Sequence, residues 1–254
     1  IAEGELTLHY QPQLAAGSCA LERVEALVRW VHPERGLLPP VEFLPLAEQT
    51  RLIRPLTRWV IDRALADWRA WQAEGLEVGV AVNLSARSLG DDELPVELAT
   101  LLAEHGAPPG TLTLELTESA VMADPFRAAS ILGRLSRMGV RLALDDFGTG
   151  YSSLAYLKRL PVDELKIDRS FVAHMAADAD DAAIVRSTID LARSLRLTTV
   201  AEGVETPDAL ATLRAFGCES VQGFLFAKPL PAGEMLEWAR AHASSTENLG
   251  EATA

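Results

Sequence analysis

Cysteine is scarce in this chain: Cys19 and Cys218 are its only two, far apart and in no ligand-like spacing. That excludes a disulfide framework and leaves no thiolate pattern for zinc, so a reducing cytoplasm is the expected compartment. Long apolar runs are missing too. No stretch of about 18 residues is apolar enough to span a bilayer, and no basic segment leads into an apolar one as an export signal would. Positive charge is in short supply, with 23 Lys plus Arg against 36 Asp plus Glu and a net charge of −13. A field of that sign repels polyanions, which argues against DNA as a partner. A small anionic substrate then needs a local reversal of sign, and bound divalent cations are the obvious means. The first residue is Ile1 rather than Met, as expected of a piece of a longer protein, for example the cytoplasmic part of a membrane-attached one.

What is present is the composition of a globular domain. The 254 residues are 48% hydrophobic and 23% charged, enough for one large core or two modest ones. Eight short apolar segments bounded by turn residues recur, at 6–14, 23–31, 78–85, 111–119, 140–147, 164–170, 198–205 and 220–226. Most are separated by amphipathic helical stretches. Between the fourth and fifth, Asp124 suits a helix cap, Pro125 the first turn and Gly139 the end, with Ala128, Ile131, Leu132, Leu135 and Met138 on one face. A second helix over 184–195 repeats the design with Ile184, Val185, Thr188, Ile189, Ala192 and Leu195. Strands alternating with crossover helices read as a parallel sheet, and eight such units at this length predict an α/β fold, a single (β/α)8 TIM-like barrel. One junction breaks the alternation. Only AAGSCALE joins the first two strands, too short for a crossover, so the first strand is expected to run antiparallel to its neighbour. Residues 41–75 are expected to hold two helices. The domain is taken to cover residues 1–243, and 244–254, SSTENLGEATA, to be a polar tail that frays.

In such a barrel, side chains from different strands converge at the strand C-terminal ends. There the sequence places Glu25, Asn83, Glu115 with Glu118, Asp145 with Asp146, Lys166 with Asp168, Glu202 with Glu205, and Gln222. So many carboxylates around an apolar barrel repel one another and lose solvation, and they need cations. The donors are oxygen-only, without Cys or His, which favours Mg²⁺ or Mn²⁺ over zinc, with calcium a weaker match. Two ions roughly 3.5–4 Å apart can activate a water and stabilise the leaving oxygen of a phosphodiester. Taken singly, each residue has a duller reading. Glu25 suits a paired core carboxylate, Lys166 and Asp168 an ion pair, Arg29 a rim salt bridge, and Asn83 and Gln222 ordinary hydrogen bonding. The DFG triplet at 146–148 lacks every other kinase element, and the five histidines form no triad or metal spacing. Recurrence at the ends of successive strands is what favours a site.

These residues lie in stretches that together resemble the EAL-type family of cyclic di-GMP phosphodiesterases. The stretches are YQP at 10–12, EALVRW at 25–30, VNLSA at 82–86, LELTES at 114–119, DDFGTGYSSL at 145–154, LKIDRSF at 165–171, AEGVET at 201–206 and QGFLFAKPL at 222–230. So many matches in order, over about residues 5–240, are far more specific than one short motif. The resemblance implies a barrel with a reversed first strand that hydrolyses cyclic di-GMP to linear pGpG with two Mg²⁺ or Mn²⁺ ions. It implies that Glu25, Asn83, Glu115 and Asp145 hold one ion, and Asp145, Asp146 and Glu202 the second or its water. Lys166 is then expected to contact the attacking water, Glu118 to brace the DDFGTG loop, and Glu205 and Gln222 to support the cluster. Arg29 is the expected phosphate contact, Gln11 and Leu27 line the nucleotide pocket, and Asp168 and Phe224 meet a guanine. Every metal position is filled, which favours the enzyme over the alternative, a catalytically inactive cyclic di-GMP receptor. A homodimer and attachment to other signalling domains are also implied. Two departures stand out: Arg23 where the family usually has glycine, and Phe224 where tyrosine is frequent.

Overall fold

The apolar runs pair into one sheet that closes on itself. In the computed structural model, which describes residues 4–148 and 154–251, β1 (Leu6–Ala15) and β2 (Leu21–His32) form a hairpin in antiparallel register. β3 (Gly36–Leu38) extends β2 at its outer end. β4 (Gly79–Asn83), β5 (Leu112–Thr117), β6 (Arg141–Phe147), β7 (Glu164–Ile167), β8 (Thr198–Ala201) and β9 (Ser220–Gln222) then follow β2 in parallel. β9 pairs antiparallel with β1 and closes a barrel in which only the first strand is reversed. β10 (Leu230–Pro231) adds to the outer part of β1. All eight predicted strands are present, and the short β1–β2 connection has the predicted consequence.

Helices cover the outside. α1 (Leu44–Gln49) and α2 (Ile53–Ala73) lie between β3 and β4, the two helices expected of residues 41–75. α2 buries Leu56, Val60, Ile61, Ala64, Leu65 and Trp68, a stripe at helical spacing. It is also bolted to the barrel: the Tyr10 hydroxyl, fully buried, donates to Asp67 Oδ2 at 2.7 Å. α3 (Leu94–His105), α4 (Glu118–Ala123) and α5 (Pro125–Arg137) follow, and the Asp124 side chain caps α5 by accepting from the Arg127 N–H. Next come α6 (Leu154–Leu157), α7 (Arg169–Val172), α8 (Ala179–Leu195), α9 (Pro207–Phe216) and α10 (Ala232–Glu251). In α8 the buried stripe is Val185, Thr188, Ile189 and Ala192, while Ile184 is 39% exposed. It is displaced by about 100° of helix rotation from Val185, to the edge of the stripe.

α10 runs through the expected boundary at residue 243 and ends at Glu251. Met235 and Ala239 dock the first turns in the core, and a helix once nucleated extends residue by residue without needing apolar neighbours. Residues 149–153, the middle of the DDFGTGYSSL stretch, and 252–254 lie outside the described residues.

The interior of the barrel is unusually polar. Strand alternation turns Gln11 and Gln13 of β1, Glu25 of β2, Glu115 of β5, Lys166 of β7 and Gln222 of β9 away from the helices, and each is less than one-tenth exposed. An apolar barrel interior would contribute stability by burial alone; this one depends on hydrogen bonds and ion pairs being satisfied.

Candidate active site

Lys166 stands at the centre of the strand ends. It is fully buried, and its Nζ lies 2.5 Å from Glu202 Oε1, 2.6 Å from Glu115 Oε2, 3.2 Å from Asp145 Oδ2 and 3.9 Å from Glu25 Oε2. Glu25 is held on both oxygens: Asn83 Nδ2 donates to Oε1 at 2.6 Å and Gln222 Nε2 to Oε2 at 2.6 Å. Gln222 Nε2 also reaches Gln11 Oε1 at 3.0 Å, and Gln11 Nε2 donates to the Ala227 carbonyl at 3.1 Å. Residues from seven strands, with Glu202 just past the end of β8, are thereby drawn into one network.

Asp145 and Asp146 are consecutive, and an unbroken strand would send them to opposite faces. The β6–β7 register instead shifts between Leu144 and Phe147. Asp146 takes a left-handed backbone, φ 55°, and its N–H donates to Asp145 Oδ1 at 2.9 Å. At this bulge Asp146 departs from strand alternation and hydrogen-bonds Asp168. Asp168 also caps α7 by accepting from the Ser170 N–H at 2.9 Å, so Lys166 and Asp168 do not form the simple pair their spacing allowed.

The electrostatics are those of a site short of positive charge. Burial pushes the Glu115 carboxyl well above the usual range although Lys166 opposes the shift. Burial likewise raises Glu202 to about 8, again against Lys166. Asp146 is raised by burial and by the charges of Asp145 and Asp168. Burial works against the Lys166 ammonium, but Asp145, Glu115, Glu202 and Glu25 outweigh it and hold its pKa well above that of an ordinary lysine. One ammonium serves four carboxylates.

A divalent cation fits this donor set, because Glu25, Glu115, Asp145, Asp146 and Glu202 offer hard oxygens with excess charge to neutralise. Among the described residues, no three acidic, imidazole or thiol groups are set at ion-holding spacing as they stand. Lys166 occupies their focus, and Asn83 presents its amide nitrogen rather than its oxygen to Glu25. Rotation of the amide about one bond would turn its oxygen, in place of its nitrogen, toward an ion.

Beside the cluster opens a cleft of about 320 Å³. Gln11, Leu27, Glu205, Gln222 and Phe224 line it together with the acids, and the Phe224 ring is 53% exposed with Lys228 Nζ 5.7 Å from its centre. Leu27 also borders a second, more apolar cleft of about 520 Å³ that reaches Pro40, Leu44, Asn83 and Ser85. Arg29 is half-buried farther along β2 and donates to the Val28 carbonyl at 3.0 Å. Glu118 is buried at the start of α4, and most of the loop it was expected to brace lies outside the described residues.

Two residues went unnoticed in the sequence. Arg169 lines the first cleft and packs against Gly203, φ 68°, where an added Cβ would fall 2.5 Å from Arg169 Cβ. No sequence spacing signals such a long-range approach. Gln13 donates to Glu115 Oε1 at 3.3 Å, and its place two residues after Gln11 on one strand face was a usable signal.

Comparison with known proteins agrees with this geometry. The chain is 48% identical over 233 residues to the bifunctional diguanylate cyclase/cyclic di-GMP phosphodiesterase MucR of Pseudomonas aeruginosa, covering 91% of this chain and 34% of that protein. It is 46% identical over 243 residues to the cyclic di-GMP phosphodiesterase NbdA of the same organism, covering 95% and 31%. The chain thus spans about a third of the length of these curated relatives. A solved structure of the PaMucR phosphodiesterase in complex with c-di-GMP superimposes with a TM-score of 0.89 at 48% identity, over 92% of this chain and 95% of that one. The EAL domain family model matches residues 1–229, and with the reversed-strand barrel and the acidic rim in place, the chain belongs to the EAL domain family.

Proposed function

We propose that this domain hydrolyses cyclic di-GMP to linear pGpG with the aid of divalent cations. The observation that carries this reading is the convergence of Glu25, Asn83, Glu115, Asp145, Asp146, Lys166 and Glu202 on one rim, beside two clefts that meet at Leu27. Two clefts suit a ligand with two bases. The names of MucR and NbdA and the ligand of the solved PaMucR complex support the same substrate.

Two ions, Mg²⁺ or Mn²⁺, when bound by Glu25, Asn83, Glu115, Asp145, Asp146 and Glu202, supply charge neutralisation and a more acidic water. The chain's own groups do the rest. Lys166 holds the attacking water by donating to it, while Glu202, its nearest ion-pair partner, orients the ammonium. Arg29 neutralises substrate phosphate from its place farther along β2, and Arg169 lines the first cleft. Gln11 and Leu27 shape the nucleotide pocket, Phe224 offers an exposed ring for a guanine, and Asp168 offers an acceptor for its N–H groups. Glu205 and Gln222 steady the cluster, Gln222 through its bond to Glu25. Water oxygen bonds to phosphorus as the P–O3′ bond breaks, and a proton goes to the departing 3′ oxygen, which leaves pGpG with a 5′-phosphate.

Among the described residues, no helix is long and apolar enough to cross a membrane. A cytoplasmic site of action, pairing into a homodimer and fusion to further signalling domains belong to this proposal; the longer relatives support the last. The test is to incubate the purified chain with cyclic di-GMP and Mg²⁺, Mn²⁺, Ca²⁺ or EDTA and follow pGpG. Product with Mg²⁺ or Mn²⁺ and none in EDTA is expected. Tight binding without product in any of the four would replace the enzyme with a receptor.

A further inference from the structure

A polar column runs from the rim to the opposite end of the barrel. Gln13 is 1% exposed, and its Nε2 donates to Glu115 Oε1, the oxygen that Lys166 does not take. Its Oε1 accepts from Arg23 Nη1 at 3.4 Å. That contact decides which way the amide points. A guanidinium can only donate, so Gln13 must present oxygen to Arg23 and nitrogen to Glu115. Arg23 is fixed in turn by Glu164, whose Oε1 lies 2.8 Å from the same Nη1, with side chains 12% and 3% exposed. Arg141 Nη2 lies 3.8 Å from the other Glu164 oxygen. The neighbouring strand leaves room for this: a Cβ on Gly79 would already come within 3.4 Å of Arg23 Cγ.

We propose that Gln13, oriented by the Arg23–Glu164 pair, is a positioning residue for Glu115. It ties Oε1 toward the barrel floor and leaves Oε2 as the oxygen offered to the rim. Arg23, the departure from glycine seen in the sequence, thereby acts on the site through one intermediary. The inference rests on the rim being a metal site, as proposed above.

The test titrates Mn²⁺ into the full chain without substrate, reading free Mn²⁺ by electron paramagnetic resonance, with thermal unfolding in EDTA alongside. Gln13→Met keeps the length and removes the amide; it is expected to fold and to bind Mn²⁺ about tenfold more weakly, the scale of lost support behind a metal ligand. Arg23→Met is expected to lose less, Arg23→Lys to regain part of it, and the double Met variant to bind no more weakly than Gln13→Met alone. A purely structural role would lower the unfolding midpoint and leave the Mn²⁺ affinity of the folded protein unchanged. Parent-like affinity in folded Gln13→Met overturns the inference. If that variant does not fold, parent-like affinity in Arg23→Met overturns it instead. A parent chain that binds no Mn²⁺ overturns the metal reading, and this inference with it.

Discussion

Replacing Lys166 by methionine leaves Glu25, Glu115, Asp145 and Glu202 without the cation that all four now share. Breaking a buried pair from one side costs about 3–5 kcal/mol, because the remaining charge is stranded. Lys166→Met is therefore expected to lose about that much unfolding free energy in EDTA, measured by urea denaturation. Mn²⁺ should restore more stability to this variant than it adds to the parent, since an ion can take over the missing charge. Unchanged stability in EDTA would show that the acids do not depend on Lys166. At this scale the sequence was only partly legible. The carboxylates announced themselves by recurring at strand ends, but nothing marked Lys166 as their common centre, because pairs separated by as many as 141 residues form only when the barrel closes.

Among the elements, β6 matters most to the site. Its bulge requires Asp146 at φ 55°, a conformation that Asp and Asn tolerate and that costs a β-branched residue roughly 1–2 kcal/mol. Asp146→Asn is expected to keep the parent's unfolding midpoint while turnover falls by at least tenfold. Asp146→Val is expected to lose turnover and about 1–2 kcal/mol of stability as well. Urea midpoints and initial rates measured on both variants separate backbone strain from carboxylate chemistry; equal stability of the two would mean that the bulge is not strained. The bulge was illegible beforehand, since strand periodicity alone sends neighbours to opposite faces. Helix signals fared better. Asp124 caps α5 as its position suggested, and Val185 and Ile189 face the core of α8. Ile184 shows where docking against the barrel, absent from any local pattern, decides the outcome.

For the whole molecule, the fold was legible because it repeats. Eight apolar segments with helices between them have few arrangements that bury every strand, and the short AAGSCALE connection selects the reversed first strand. The polar floor formed by Gln13, Arg23 and Glu164 was hidden because each residue looks like an ordinary strand residue until β1, β2 and β7 enclose one space. The account as a whole holds that the rim gathers distant acids to bind paired cations. Its most direct test is anomalous diffraction at the manganese edge from crystals grown with Mn²⁺. Two anomalous peaks among Glu25, Asn83, Glu115, Asp145, Asp146 and Glu202 are predicted; no peak at this rim, with Lys166 still joined to all four carboxylates, would contradict it.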